Sequence, residues 1–517
     1  MNLNPFESPA ARRAYLDHLD RIKQLSPVDR DLVRLGQMPG LERWLGQITA
    51  TGGCAHPIYL SGHTTRYDRA TGEVLSHYST RDEPGERLAV RCRNRRAASC
   101  PSCSWQYQGD AFHLVRAGLA GGKGIPATVR HHPRAFVTLT APSFGKVHRS
   151  GQCHPIRAKA CPHGSDGGCG QIHDDADPLV GQALCAHCYD YVGHVLWNAH
   201  AGVLWKAFRD NLYHHIGVRS GVGRSAVRRV LRVSAAKVAE YQRRGMVHFH
   251  AVIRLDGPTG SDSPPPDWAT VELLLDTIRT AAAAVALPVP ASAAYGERRL
   301  TFGRELDAHS LTGGEGEQMT DDHVAAYVAK YTTKGVEATG VLDRRIDAAG
   351  QIRRLKATRH VRALVGTCWR LGALPELERL RLRACAHMLG YRGHCLSKTY
   401  RYSTTFGALR AERAAYLTGR TGMQEEAVGV DAAWRYVGRG YTPGEAELAA
   451  GIAESIVRNR QIGRAALADL EADEAHRGRR TARQLEPGWA GGARRAAAGT
   501  DHDHPDGRSD GGGRDAG

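Results

Sequence analysis

The stretch Glu240–Leu255, EYQRRGMVHFHAVIRL, decides how the fold is read. Residues 246–253 are mostly apolar, β-branched or aromatic, as a strand requires, and Gly245 supplies a turn just before them. The preceding run Val230–Tyr241 also has strand character, so Arg243, Arg244 and Gly245 read as the connection of an antiparallel hairpin. Side chains alternate along a strand, which puts His248 and His250 on one face and Val247, Phe249 and Ala251 on the other. Glu240, on the neighbouring strand, can add a carboxylate to the two imidazoles. Such a set leaves positions open for water or a phosphate oxygen, as Lewis-acid work on phosphate by a divalent ion requires. A His-x-His strand serves a surface or a core equally well, so a second signal is needed.

That signal is the segment Thr320–Gly335, TDDHVAAYVAKYTTKG. Thr320 or Asp321 can cap a helix, Asp322 stands in its first turn, and Gly335 is a plausible stop. Tyr327 and Tyr331 stand four apart and so share a helix face, with Lys330 and Lys334 beside them. A phenol titrates near ~10, so a tyrosine nucleophile needs a metal or a cation to activate it. Two tyrosines at this spacing also serve as packing residues.

Strand, glutamate and tyrosine helix together resemble the HUH endonucleases, and among them the rolling-circle replication initiators. YVAKYTTK is similar to the two-tyrosine motif of the bacteriophage gene A initiators. EYQRRGMVHFHAVIRLDG and MLGYRGHCLSKTYRYSTTFGALR resemble the replication initiators of actinobacterial plasmids and integrative conjugative elements, and the likeness spans residues 50 to 450. The resemblance implies an α+β fold, with a central antiparallel sheet and flanking helices as the HUH core. It implies a Mg²⁺ or Mn²⁺ ion on His248, His250 and Glu240, and attack by Tyr327 or Tyr331 on single-stranded origin DNA. A 5′-phosphotyrosine link and a free 3′-OH for host polymerase would result, with Lys330 and Lys334 steadying charge and the tyrosines taking turns. The chain departs from the family at Gln242, where relatives often carry a third histidine.

Cysteines point to structural zinc. Cys92, Cys100 and Cys103 form a knuckle with Cys54 or His56 as the fourth ligand, and Cys161, Cys169, Cys185 and Cys188 form a second group. Cys153, His154, His163 and His187 are further candidates in the second group. Disulfides fit poorly with a chain whose first residues, MNLNPFESPAARRAYL, lack the apolar core of a secretory signal. The most apolar run, Thr280–Ala294, is too short for a bilayer and is broken by Pro288 and Pro290. A cytoplasmic protein without membrane partners is expected.

The chain has 517 residues and a formal net charge of +17, which suits a polyanionic partner. Its expected organisation is a helical segment over 1–50, a first cysteine module over 51–125, and a nicking core over 130–340 with the second cysteine insertion at 150–190. A basic, mainly helical region follows over 341–475, then a disordered tail over 476–517. Phe136–Ala141 reads as a strand beside the histidine strand, Arg298–Phe302 as another strand, and Glu376–Met388 as a helix. Arg243, Arg244, Arg392, Lys398 and Arg401 are the candidate DNA-binding cations, the last three interleaved with tyrosines as single-stranded nucleic acid favours. GLAGGKG at 118–124 is out of register for a phosphate loop, so unwinding would fall to a host helicase. Competing readings are a transposase or relaxase with the same chemistry, a zinc-stabilised regulator without catalysis, and a water-using nuclease that forms no adduct.

Overall fold

Gly245 adopts φ +83°, which an L side chain would resist, and this lets the chain reverse within a few residues. The hairpin so formed is the middle of a five-stranded sheet in a mixed α+β fold. Its strands are β1 (Arg134–Leu139), β2 (Arg232–Tyr241), β3 (Val247–Asp256), β4 (Leu306–Ser310) and β5 (Leu396–Lys398). They lie in the order β4-β1-β3-β2-β5, each antiparallel to its neighbours. The computed structural model describes residues 9–156, 161–164, 168–311, 320–335, 344–417 and 427–484. The chain divides into two units, Met1–Glu454 and Ser455–Gly517, and every site discussed below lies in the first.

Alternation sorts the sheet into two apolar layers. Val247, Phe249, Ala251, Ile253 and Leu255 join Ala135, Val137 and Leu139 against the long helix Tyr191–Arg219 and the helix Val271–Ala283. Phe136, Ala236, Val238 and Val252 face the helices Pro101–Ala120 and Asp321–Thr332. Apolar burial at about 25 cal/mol per Å² makes a register slip of one residue expensive, because it would exchange the two faces. The end of β3 is pinned further by a buried polar network. Arg254 donates to Asp256 at 2.6 and 2.9 Å, Asp256 also accepts from Ser234, and His132 lies 2.8 Å from it.

A second sheet is built from the two ends of the first unit. Ile58–Asp68 pairs with Val74–Ser79, with Leu88–Val90 and along its whole length with Val428–Arg439. Trp44 and Ile48, from the helix Leu41–Ala50, pack on it with Tyr59, Ala89 and Ala449.

Several expectations change. Residues 341–475 hold the long strand Val428–Arg439 as well as helices. Arg298 and Arg299 do lie on a strand, Gly296–Leu300, but it pairs with Leu287–Ser292 outside the central sheet, whose edge is β4. Glu376–Met388 is not one helix. It holds two 3₁₀ turns, Pro375–Leu380 and Ala386–Met388, each followed by a residue at positive φ, Arg381 (+49°) and Leu389 (+52°), which ends helical progression. The helix Pro443–Gln484 runs past the expected tail boundary, and the rest of that tail lies outside the described residues. Among the described residues no helix is long and apolar enough to cross a membrane.

Candidate metal and tyrosine site

Hairpin register places Glu240 directly opposite His248, with His250 next on the same face. The Nε2 atoms of His248 and His250 converge on Glu240 Oε2 at 3.0 and 3.1 Å. One ligand atom from each of the three residues lies within 4.8 Å of the others, close enough to share one ion. Burial pushes the Glu240 carboxyl up, but hydrogen bonds from both histidines and the Lys334 charge outweigh it and hold it at about 2. Burial lowers the His250 imidazole against the pull of Glu240, which favours the neutral form that a metal ligand needs. Thr138 Oγ1, on β1, lies 3.1 Å from His250 Nδ1 and can accept a proton there when an ion takes the place of the proton on Nε2. Gln242 does not join the set. Its amide lies 3.4 Å from His248 Nδ1, behind the ring, and its oxygen accepts from Arg244 Nε at 2.9 Å.

The tyrosine helix Asp321–Thr332 lies over this cluster. Thr320 caps it by accepting from His323 N–H at 3.2 Å. Tyr331 stacks on His250 at a centroid separation of 5.1 Å, Tyr327 meets the same ring edge-on at 5.2 Å, and the tyrosines are 4.7 Å apart. Lys334 Nζ sits 4.4 Å above the Tyr331 ring and 3.3 Å from Glu240 Oε1. Lys330 is exposed on the same helix. Burial, then the hydrogen bond and charge of Tyr331, then Glu240, push the Tyr327 phenol well above its ordinary value.

Both ends of this helix are clamped. Arg134 donates to Asp321 at 2.7 Å and Arg116 to Asp322 at 2.5 Å. At the other end Arg95 Nη1 donates to the carbonyls of Thr332 and Lys334, both at 2.9 Å, and Ala97 N–H to that of Thr333 at 3.4 Å. Residues 95 and 97 sit in the loop closed by Cys92, Cys100 and Cys103, which with Cys54 form the first cysteine cluster. Its Sγ–Sγ separations of 3.6, 3.7 and 3.9 Å match the edge of roughly 3.8 Å for a tetrahedron of four sulfurs about 2.3 Å from zinc. Cys54, not His56, completes the set.

The second cysteine group does not form as expected from spacing. Cys161, Cys185 and Cys188 gather with His163, while Cys169 joins Cys153, His148 and His173. The spacings His148-x4-Cys153 and Cys169-x3-His173 offer ligand pairs, but spacing does not say which pairs share an ion.

The candidate DNA-binding cations divide. Two adjoining hollows of about 620 and 760 Å³ meet at Arg243, which lines both; the first contains Glu240 and Lys334, and Arg244 lines only the second. Lys398 is instead taken up by the carbonyls of Thr399, Tyr400 and Ser403 at 3.4, 3.1 and 2.8 Å. Arg392 donates to Arg379 O at 2.6 Å, and Arg401 to Thr259 O. Tyr391 and Tyr402 are buried in the core, leaving Tyr400, 90% exposed, as the open ring of that segment. Arg149 and Arg304, which also line the larger hollow, carried no pattern in the sequence.

No solved structure matches the chain. A replication initiator protein of Streptomyces ambofaciens is 48% identical over 455 residues, covering 85% of this chain and 95% of that protein. The family model described as the replication initiator protein of pSAM2 matches residues 40–454, and the chain therefore belongs to that family of replication initiators.

Proposed function

We propose that this initiator is an HUH-type, rolling-circle endonuclease: it nicks one strand at its replication origin with a tyrosine nucleophile and later rejoins it. The observation that carries this reading is the packing of Tyr331, stacked, and Tyr327, edge-on, against His250, whose Nε2 converges with His248 on Glu240. Two nitrogens and an ionised carboxylate fit a divalent ion with open positions. Mg²⁺ or Mn²⁺ held by His248, His250 and Glu240 would supply Lewis-acid polarisation of the scissile phosphate.

The chain's own groups do the rest. The tyrosine oxygen forms a bond to phosphorus as the bond to the 3′ oxygen breaks, leaving a 5′-phosphotyrosine and a 3′-OH that host polymerase extends. The phosphodiester energy is kept in the new ester, so rejoining needs no ATP. Lys334, above the Tyr331 ring and beside Glu240, stabilises the Tyr331 phenolate as it develops, whereas no such cation stands over the Tyr327 ring among the described residues. Tyr331 is therefore the opening nucleophile, and Tyr327 resolves the displaced strand. Arg244 in the larger hollow and Arg243, shared by both, guide the single strand toward Glu240. Strand separation is left to a host helicase.

The test is incubation of the protein with labelled single-stranded origin DNA and Mg²⁺ or Mn²⁺, followed by a denaturing gel. A covalent band is expected that is lost in His248→Ala and in Tyr327→Phe/Tyr331→Phe, with Tyr331→Phe alone losing the first cleavage. Cleavage without an adduct would replace this reading with a water-using nuclease. Binding to an active origin without cleavage would make the protein a non-catalytic origin binder.

A further inference from the structure

We propose that the insertion between β1 and β2, residues 148–188, is a cross-braced module that holds two zinc ions, one on His148, Cys153, Cys169 and His173 and one on Cys161, His163, Cys185 and Cys188. In each set one ligand atom per residue lies within 4.8 Å of all the others. In the first, His173 Nε2 is 3.3 Å from Cys169 Sγ and 3.2 Å from His148 Nδ1, which is 3.9 Å from Cys153 Sγ. In the second, His163 Nδ1 is 3.3 Å from Cys188 Sγ. Along the chain the ligands alternate in pairs between the two sets. No contiguous segment completes either site, and each ion fixes a loop that the other needs.

The donors select the ion. Thiolate and imidazole in a closed set of four suit zinc, whereas magnesium and calcium require oxygen ligands. His173 shows a further mark of a ligand: its Nδ1 is held by Asp177 Oδ2 at 2.7 Å, which sets the tautomer and aims Nε2 into the cluster. The insertion also lacks another means of support. Its described strands are the two-residue pair Gly151–Gln152 and Ile172–His173; Ile156, Ile172 and Leu179 are exposed, and Val180 and Leu184 are only half-buried. A segment of this size without an apolar core is ordinarily held by metals or disulfides, and none of its cysteines forms a disulfide.

The module reaches the tyrosine site through the backbone. His148 N–H donates to Gln182 O at 2.9 Å and His148 O accepts from Gly181 N–H at 2.8 Å. Gly181, at φ +90°, lies so close to the hairpin turn that a Cβ there would stand 2.6 Å from the Arg243 carbonyl carbon. Asp177, Val180, Gly181 and Gln182 thus form part of the wall of the hollow that also contains Glu240, Arg243 and Lys334. The ion on His148 and His173 braces that wall.

Zinc in the full-length protein, purified without added metal, is measured by inductively coupled plasma mass spectrometry. With the first cysteine cluster, three ions per chain are expected. X-ray absorption at the zinc edge should show a first shell of three sulfurs for every nitrogen, the average over the three sets. His148→Ala/His173→Ala should lose one or both ions of the module and keep that of Cys54. Two ions per chain in an all-sulfur shell, unchanged by the histidine substitutions, would instead establish one four-thiolate site and overturn the proposal, as would a protein with no zinc. The shell is read on the unmodified chain, so the outcome stands even where a variant fails to fold, and neither readout depends on nicking.

Discussion

Replacing Arg95 with methionine removes two of the three hydrogen bonds that clamp the C-terminal end of the tyrosine helix, leaving that from Ala97 N–H and a side chain of similar length. The guanidinium donates to Thr332 O and Lys334 O, each at 2.9 Å. A hydrogen bond from a charged donor contributes about 1.5–3 kcal/mol net. Arg95 is only half-buried, so the lower figure applies, about 3 kcal/mol for the pair, with roughly 0.5 kcal/mol more from a cation at a helix C-terminus. This energy holds the turn that carries Tyr331 and leads into Lys334. Tenfold in a population corresponds to about 1.4 kcal/mol, so a turn loosened by about 3 kcal/mol should slow adduct formation on single-stranded origin DNA by roughly a hundredfold. Single-turnover adduct formation measures the rate, and hydrogen exchange at residues 330–335 measures the loosening. Arg95→Gln, which keeps one donor, should fall between. An Arg95→Met protein with unchanged exchange and a wild-type rate would refute the clamp.

Lys334→Met should lower the maximal nicking rate by about tenfold or more, since a cation over the developing phenolate is lost. It should also reduce the Mn²⁺ concentration giving half-maximal activity, because Glu240 is freed from an ammonium 3.3 Å away; a rise in that concentration would count against the assignment. Burial pushes the His194 imidazole down to about 3 and the His360 imidazole down to about 4. The unfolded chain takes up these protons near the ordinary histidine value and the folded chain does not. Their contribution is therefore complete above pH 6.5 and is lost as pH falls toward 4, at up to about 1.4 kcal/mol per group per pH unit. Thermal melts from pH 7 to pH 5 should show this slope, and His360→Gln should flatten it.

The hairpin and the tyrosine helix were readable because their signals are local. A period of two with Gly245 sets the strand pairing, and counting back from the turn puts Glu240 opposite His248. Thr320 and the four-residue tyrosine spacing set the helix. The cysteine partition was not readable, since two interleaved sets can be told from one set of four thiolates only by where the loops return. Gly390–Arg410 misled for a related reason. Its arginines and tyrosines have the composition of a strand-binding surface, but composition carries no orientation: Tyr391 and Tyr402 point inward and Lys398 binds its own backbone. The edge strand β4, LDAHS, has too little apolar alternation to announce itself.

The pairing of Ile58–Asp68 with Val428–Arg439 has a consequence for the order of assembly. Trp434 Nε1 donates to Thr64 Oγ1 at 2.9 Å across 370 positions of sequence, and Arg87 bonds Glu445 at 2.9 Å. During synthesis at about 5–20 residues per second, the first strand must wait on the order of half a minute for its partner. It waits as a sheet edge with open backbone groups, which invites pairing with other chains. The neighbouring cysteine cluster has all four ligands by residue 103, so a metal can close it early and hold the start of the chain in order until the end arrives.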